Sequence, residues 1–141
     1  MLITQWKLHL PEWLVSMMPE ITAKHYSHDE DRMNLAILLS QKNAESGTGG
    51  PFGAAVFNDE TGEVISLGVN QVVPQHCSVA HAEVMAIMAA QQKIENFSLQ
   101  DSTYHLVSSS QPCAMCTGAI AWSGLSRLTY AATKEDVEKL T

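Results

Sequence analysis

The sequence predicts an α/β domain, a mixed sheet covered by helices. Three observations predict it. The 141 residues are 45% apolar and 16% charged, which suits one compact domain whose core needs no disulfide staples. Helical and strand periodicities alternate in the order helix, hairpin, helix, strand, helix, strand, helix. The last strands are separated by helices, which makes them neighbours joined by crossovers.

Residues 1–26 carry Trp6, Leu8, Leu10, Trp13, Leu14 and Val15 with two prolines, and read as an irregular apolar arm before a domain at 27–141. Ser27-His28-Asp29-Glu30 matches a capping box and opens a helix. Its apolar stripe is Met33, Ala36, Ile37 and Ser40, widened by Leu35, Leu38 and Leu39. Gly47 and Gly49-Gly50-Pro51 end it. Phe52–Phe57 and Val64–Val69 flank the turn Asn58–Gly62, so they form a hairpin. Ala80–Ile94 is rich in Ala and Met at helical spacing. Thr103–Ser109 is a strand, and Cys113–Trp122 a helix with Pro112 at or near its first position. Leu128–Ala132 is a last strand, and Glu135–Leu140 begins a further helix.

Charge narrows the function classes. Fifteen acids face eight bases, for a net charge of -7, and the Lys and Arg residues are scattered. Nucleic-acid binders cluster theirs, so a small-molecule substrate is expected instead. No stretch reaches membrane-span length, and polar residues interrupt the N-terminal apolar run, so neither a membrane partner nor a secretory leader is expected. Three cysteines, two of them in a C-x-x-C, do not read as a disulfide framework. A cytoplasmic protein with reduced thiols is the expectation.

The chemistry concentrates in His81-Ala82-Glu83 and Pro112-Cys113-Ala114-Met115-Cys116, both at expected helix N-termini. Cys113 and Cys116 share one helix face at i and i+3, and the helix N-terminus favours their thiolates. Two thiolates and an imidazole suit zinc. A C-x-x-C alone also fits a redox pair or half of a structural zinc site. His81 adds the discriminating spacing, because H-x-E followed by P-C-x-x-C marks the zinc deaminases. Three ligands, His81, Cys113 and Cys116, leave a fourth position for water, as catalytic zinc requires. Zinc in such a site lowers the pKa of water from about 15.7 to about 7. Glu83 is then the proton carrier: it takes a proton from water, passes it to a ring nitrogen and helps ammonia leave. Without the metal motif Glu83 would read only as a first-turn acid favoured by the helix dipole. Cys77, in the loop before His81, would close the site if it reached the metal.

These segments resemble the cytidine/deoxycytidylate deaminase superfamily, and within it most resemble bacterial guanine deaminases. The similar stretches are Gly49–Val56, Gly68-Val69-Asn70, Ala80–Glu83, Gln111–Cys116 and Gly118–Trp122, spread between about Arg32 and Asp136. The resemblance implies a three-layer α/β/α cytidine-deaminase-like fold, a homodimer, bound zinc and a nucleobase substrate, with guanine going to xanthine and ammonia. It implies that Asn70 bonds the purine edge, Phe52 lines or stacks on the base, and Trp122 closes one side. The Ala82 backbone would help hold the ring, and the Cys113 N–H would meet the attacking oxygen. Phe52 and Trp122 could equally be core aromatics, and Asn70 a turn cap. Where the family usually has Glu before Pro112, this chain has Gln111, a position that supports the ligands from behind. The family also continues with an acidic segment and a C-terminal element that the sequence through Thr141 does not contain. Deamination of adenosine in transfer RNA, of cytosine or nucleosides, or of an aminotriazine such as ammeline stays open. So does a purely structural zinc module.

Overall fold

The computed structural model describes residues 1–140. Its elements are α1 (Glu12–Thr22), α2 (Asp29–Glu45), β1 (Gly53–Asn58), β2 (Val64–Val69), α3 (Ala82–Ile94), β3 (Tyr104–Ser110), α4 (Ala114–Ser123), β4 (Arg127–Ala132) and α5 (Lys134–Leu140). The four strands form one sheet in the order β2-β1-β3-β4. β1 is antiparallel to β2, pairing Ala54 with Gly68, and antiparallel to β3, pairing Ala54 with Ser108. β3 and β4 run parallel, with Leu106 beside Leu128, because α4 carries the chain back across the sheet. The sheet is therefore mixed, as the crossovers required.

Side-chain alternation on the strands splits the core into two layers. Ala55, Phe57 and Val107 face α1 and α2, where Leu14, Ile21, Leu35 and Leu39 meet them. Ala54, Val56 and Leu106 face α3 and α4, against Ala82, Ala86, Ile87 and Ala90. Two strand glycines let the helices approach. A Cβ at Gly53 would lie 2.5 Å from the Ala36 carbonyl oxygen on α2, and one at Gly68 would lie 2.1 Å from the Ala82 carbonyl oxygen on α3. Among the described residues no helix is long and apolar enough to cross a membrane.

Four local readings change. Glu12–Thr22 is a helix, not an irregular stretch, and its buried Leu14 and Ile21 join the α2-side core. The Ser27 capping box does not form: His28 occupies the N-cap without a side-chain hydrogen bond, and Asp29, Glu30 and Asp31 meet the helix dipole instead. Pro112 lies one residue before the N-cap of α4 rather than inside it. The buried stripe of α2 also turns, to Arg32, Leu35, Ala36, Leu39, Ser40 and Asn43, leaving Leu38 exposed. That stripe keeps helical spacing but includes polar residues, because tertiary partners satisfy them. Arg32 reaches Asp59, His105 and the Tyr26 carbonyl. Asn43 donates to the carbonyls of Gly50 and Asn70, each at 2.9 Å.

Candidate metal centre

Two helix N-termini meet over one end of the sheet. Gly68 brings the first turn of α3 onto β2, which sets His81 at the N-cap of α3 and Glu83 two residues further in, within that first turn. The chain leaves β3 at Ser110 and turns through Gln111 and Pro112, placing Cys113 at the N-cap of α4 and Cys116 at its third position. The Cys113 sulfur accepts the Cys116 N–H at 3.5 Å, so the sulfur itself caps the helix.

His81 Nδ1 lies 3.6 Å from Cys113 Sγ and 3.5 Å from Cys116 Sγ, and the three ligand atoms lie within 4.8 Å of one another. The donor set can be tested against zinc. Tetrahedral zinc, with bonds of about 2.3 Å to sulfur and about 2.05 Å to nitrogen, separates N from S by about 3.6 Å. The fit is close. Burial raises the Cys116 thiol far above its ordinary range, with Glu83 and Cys113 adding to the effect. A divalent cation is the kind of charge that reverses this and holds a buried thiolate. Cys77, half-buried, is not part of the group, so the described residues supply three ligands and not four.

Glu83 is 5% exposed. Burial raises its carboxyl above the ordinary range, opposed by hydrogen bonds from its own N–H and the Cys116 thiol and by His81. It therefore stands against the metal group, in a site that shields it from water. A cavity of about 370 Å³ opens in front of these residues. Phe52, Asn70, His81, Ala82, Glu83 and Cys113 line it, together with Ser110, Gln111, Pro112, Ala114 and the α5 residues Lys134, Val137 and Glu138.

Trp122 is not brought there. It is 92% exposed near the C-terminal end of α4. Nine residues of helix past Cys113 is about 14 Å of rise, too far to wall the same cavity. Sequence reasoning also missed two supports. One is a buried polar chain: Trp13 Nε1 donates to Thr48 Oγ1 at 2.8 Å, Thr48 to Asn43 Oδ1 at 2.8 Å, and Asn43 and Gln71 to the Asn70 carbonyl. It fixes the loop that presents Phe52 and Asn70. The other is the place of α5: a helix was expected from Glu135, but not its position against the cavity, which is set by a Thr133-x-x-Asp136 capping box with reciprocal bonds of 3.0 and 3.1 Å.

Fold and centre together define a class: a three-layer α/β protein built around a His/Cys/Cys metal site with a buried carboxylate beside it. Residues 26–132 match the family model described as the cytidine and deoxycytidylate deaminase zinc-binding region. The chain belongs to that family. It is 37% identical over 107 residues to the guanine deaminase of Bacillus subtilis, covering 76% of this chain and 66% of that protein, just under two thirds. It is 34% identical over 113 residues to the tRNA-specific adenosine deaminase of Buchnera aphidicola subsp. Schizaphis graminum, covering 80% of this chain and 72% of that one. The solved guanine deaminase from Nitrosomonas europaea superposes with a TM-score of 0.89 at 36% identity, over 99% of this chain and 77% of its own. Another similar crystal structure holds 8-azaguanine, with a TM-score of 0.89 and 36% identity, over 99% of this chain and 76% of that one.

Proposed function

We propose that the protein deaminates guanine by hydrolysis: guanine and water give xanthine and ammonia. The observation that carries the reaction class is the buried Glu83 carboxylate set against a His81/Cys113/Cys116 group spaced for zinc, with Glu83, His81 and Cys113 lining the cavity. When bound, zinc supplies Lewis acidity that makes water nucleophilic near neutral pH. The chain's own residues do the rest. Glu83 accepts a proton of water and delivers it to the ring nitrogen next to the carbon that bears the amino group; it then takes the second proton, from the hydroxyl now on that carbon, and passes it to the amine, which leaves as ammonia. Its burial keeps it from being levelled by bulk solvent. The Asn70 carboxamide oxygen is committed to the Val72 N–H at 3.2 Å, so its Nδ2 is the donor that meets an acceptor on the purine. Phe52 supplies a flat apolar surface for the base.

Guanine is favoured over adenosine in transfer RNA by charge. The chain's net charge is -7, whereas a polyphosphate partner calls for clustered cations. Similarity to guanine deaminases, and to a structure holding 8-azaguanine, supports the same choice. A homodimer belongs to this reading. Met115 and Trp122 of α4 and Leu128 and Tyr130 of β4 are exposed apolar side chains on neighbouring elements, a surface that a second copy would cover. Zinc-loaded protein should be incubated with guanine, adenine, cytosine, their nucleosides, ammeline and a transfer-RNA anticodon stem-loop while ammonia is followed. Guanine should give the highest kcat/KM. Turnover of the stem-loop without turnover of guanine would overturn the substrate assignment.

A further inference from the structure

We propose that Gln111 is a positioning residue that ties α5 to the loop carrying Cys113, so that α5 forms one wall of the substrate cavity. Gln111 is the last residue before Pro112-Cys113; its main chain is spent on the end of β4 and its side chain on the segment that follows. Its N–H donates to the Ala132 carbonyl at 2.7 Å, and its Oε1 accepts the Lys134 N–H at 2.8 Å. Lys134 opens α5, and the first N–H groups of a helix have no partner within it. The Thr133–Asp136 box serves Asp136 N–H and Thr133 N–H. Gln111 serves Lys134 N–H, one of the two between them.

The tether matters because α5 is short. It has seven residues, well below the roughly 12–15 at which an isolated helix becomes even marginally stable. Its place is therefore set by its caps more than by its own propensity. Lys134, Val137 and Glu138, at i, i+3 and i+4, share one helix face, and that face lines the cavity in front of Glu83. One side chain thus links the segment that supplies two sulfur ligands to the segment opposite. Gln111 is exposed, so replacing it does not disturb the core.

For its kinetic part the proposal rests on the guanine deaminase reading; the tether itself does not. The test compares zinc-loaded wild type, Gln111→Ala and Gln111→Glu by amide exchange of α5 and by steady-state kinetics on guanine. Losing a cap of this kind weakens a helix about five-fold, so α5 amides, Val137 among them, should exchange about five-fold faster in Gln111→Ala. KM should rise by a similar factor and by more than kcat falls, with zinc content unchanged. Gln111→Glu keeps the acceptor, adds a charge that suits a helix N-terminus and should restore both readouts. Unchanged α5 exchange in Gln111→Ala overturns the tether, whatever the activity. Faster exchange with unchanged KM overturns the assignment of α5 as a substrate wall. If wild type fails to turn over guanine, the substrate reading fails and the exchange comparison alone decides the tether.

Discussion

Gly68→Ala adds one methyl group outside the cavity lining and should disable the metal centre. Gly68 sits on β2 beneath the first turn of α3. A Cβ there would lie 2.1 Å from the Ala82 carbonyl oxygen, 2.7 Å from the Ala86 nitrogen and 3.1 Å from the Ala86 Cβ. Comfortable non-bonded separations are about 3.5 Å, so the turn must retreat by on the order of 1 Å. Two of the three obstacles are backbone atoms, which cannot rotate aside. Overpacking of this kind costs about 1–3 kcal/mol, or about 3–10 °C in Tm for a chain of this size. The effect on function is larger. His81 and Glu83 ride on the displaced turn, while Cys113 and Cys116 ride on α4. Metal sites tolerate ligand errors of about 0.2 Å, and a misplacement of about 1 Å costs about 10²-fold in rate. The assay is zinc affinity against a competing chelator, with ammonia release and thermal unfolding on the same samples. Gly118→Ala on α4, where a Cβ meets nothing within 4 Å, is the matched control and should keep zinc and activity. A Gly68→Ala protein that binds zinc as tightly as wild type and keeps its turnover would refute the reasoning.

Three further outcomes are expected. Glu83→Gln keeps the shape but cannot carry a proton, so it should retain zinc and lose ammonia release by about 10²–10⁴-fold; undiminished turnover would remove Glu83 from the proton path. Cys113→Ala should lose stoichiometric zinc on dialysis, and a variant that kept wild-type affinity would exclude Cys113 as a ligand. His105 governs the acid limb of stability. Burial first, then the Arg127 and Arg32 guanidinium groups, push it down to about 4. Arg32 donates to its Nδ1 at 2.9 Å, which requires the neutral ring, with Nε2 against Thr129 Oγ1 at 2.7 Å. An unfolded histidine titrates near about 6.5, so below that pH the unfolded chain takes a proton the native chain refuses. Stability should be full above about 6.5, fall as the pH drops towards about 4, and fall no further on account of this group below that. His105→Gln should flatten this stretch, as read from urea midpoints at pH 7 and pH 4.5. An unchanged difference between the two midpoints would show that His105 does not set it.

Much of the architecture was legible because it is written in short-range terms. β2 spans Val64–Val69 as expected from the turn Asn58–Gly62 before it, and the other strands fall within a residue of expectation. Where the readings slipped, a distant partner had intervened. The α2 stripe took in Arg32 and Asn43 because Asp59, His105 and the loop carbonyls of Gly50 and Asn70 receive them. α1 formed where prolines argued for irregular chain, because Pro11 serves as N-cap and Pro19 sits inside a helix whose Leu14 and Ile21 are held in the core.

The sequence by itself determined the chemistry of the centre. His81 and Glu83, two residues apart, and Cys113 and Cys116, three apart, are local spacings, and helix geometry fixes what they can do. The tertiary structure decided that these two segments, 32 and 35 residues apart between ligand atoms, close on one point. It also decided that α5 walls the cavity while Trp122 stays outside it. The reason is physical: periodicity records which face of an element is apolar, whereas its neighbour is chosen by close packing at sites such as Gly53 and Gly68 and by long-range hydrogen bonds that leave no local trace.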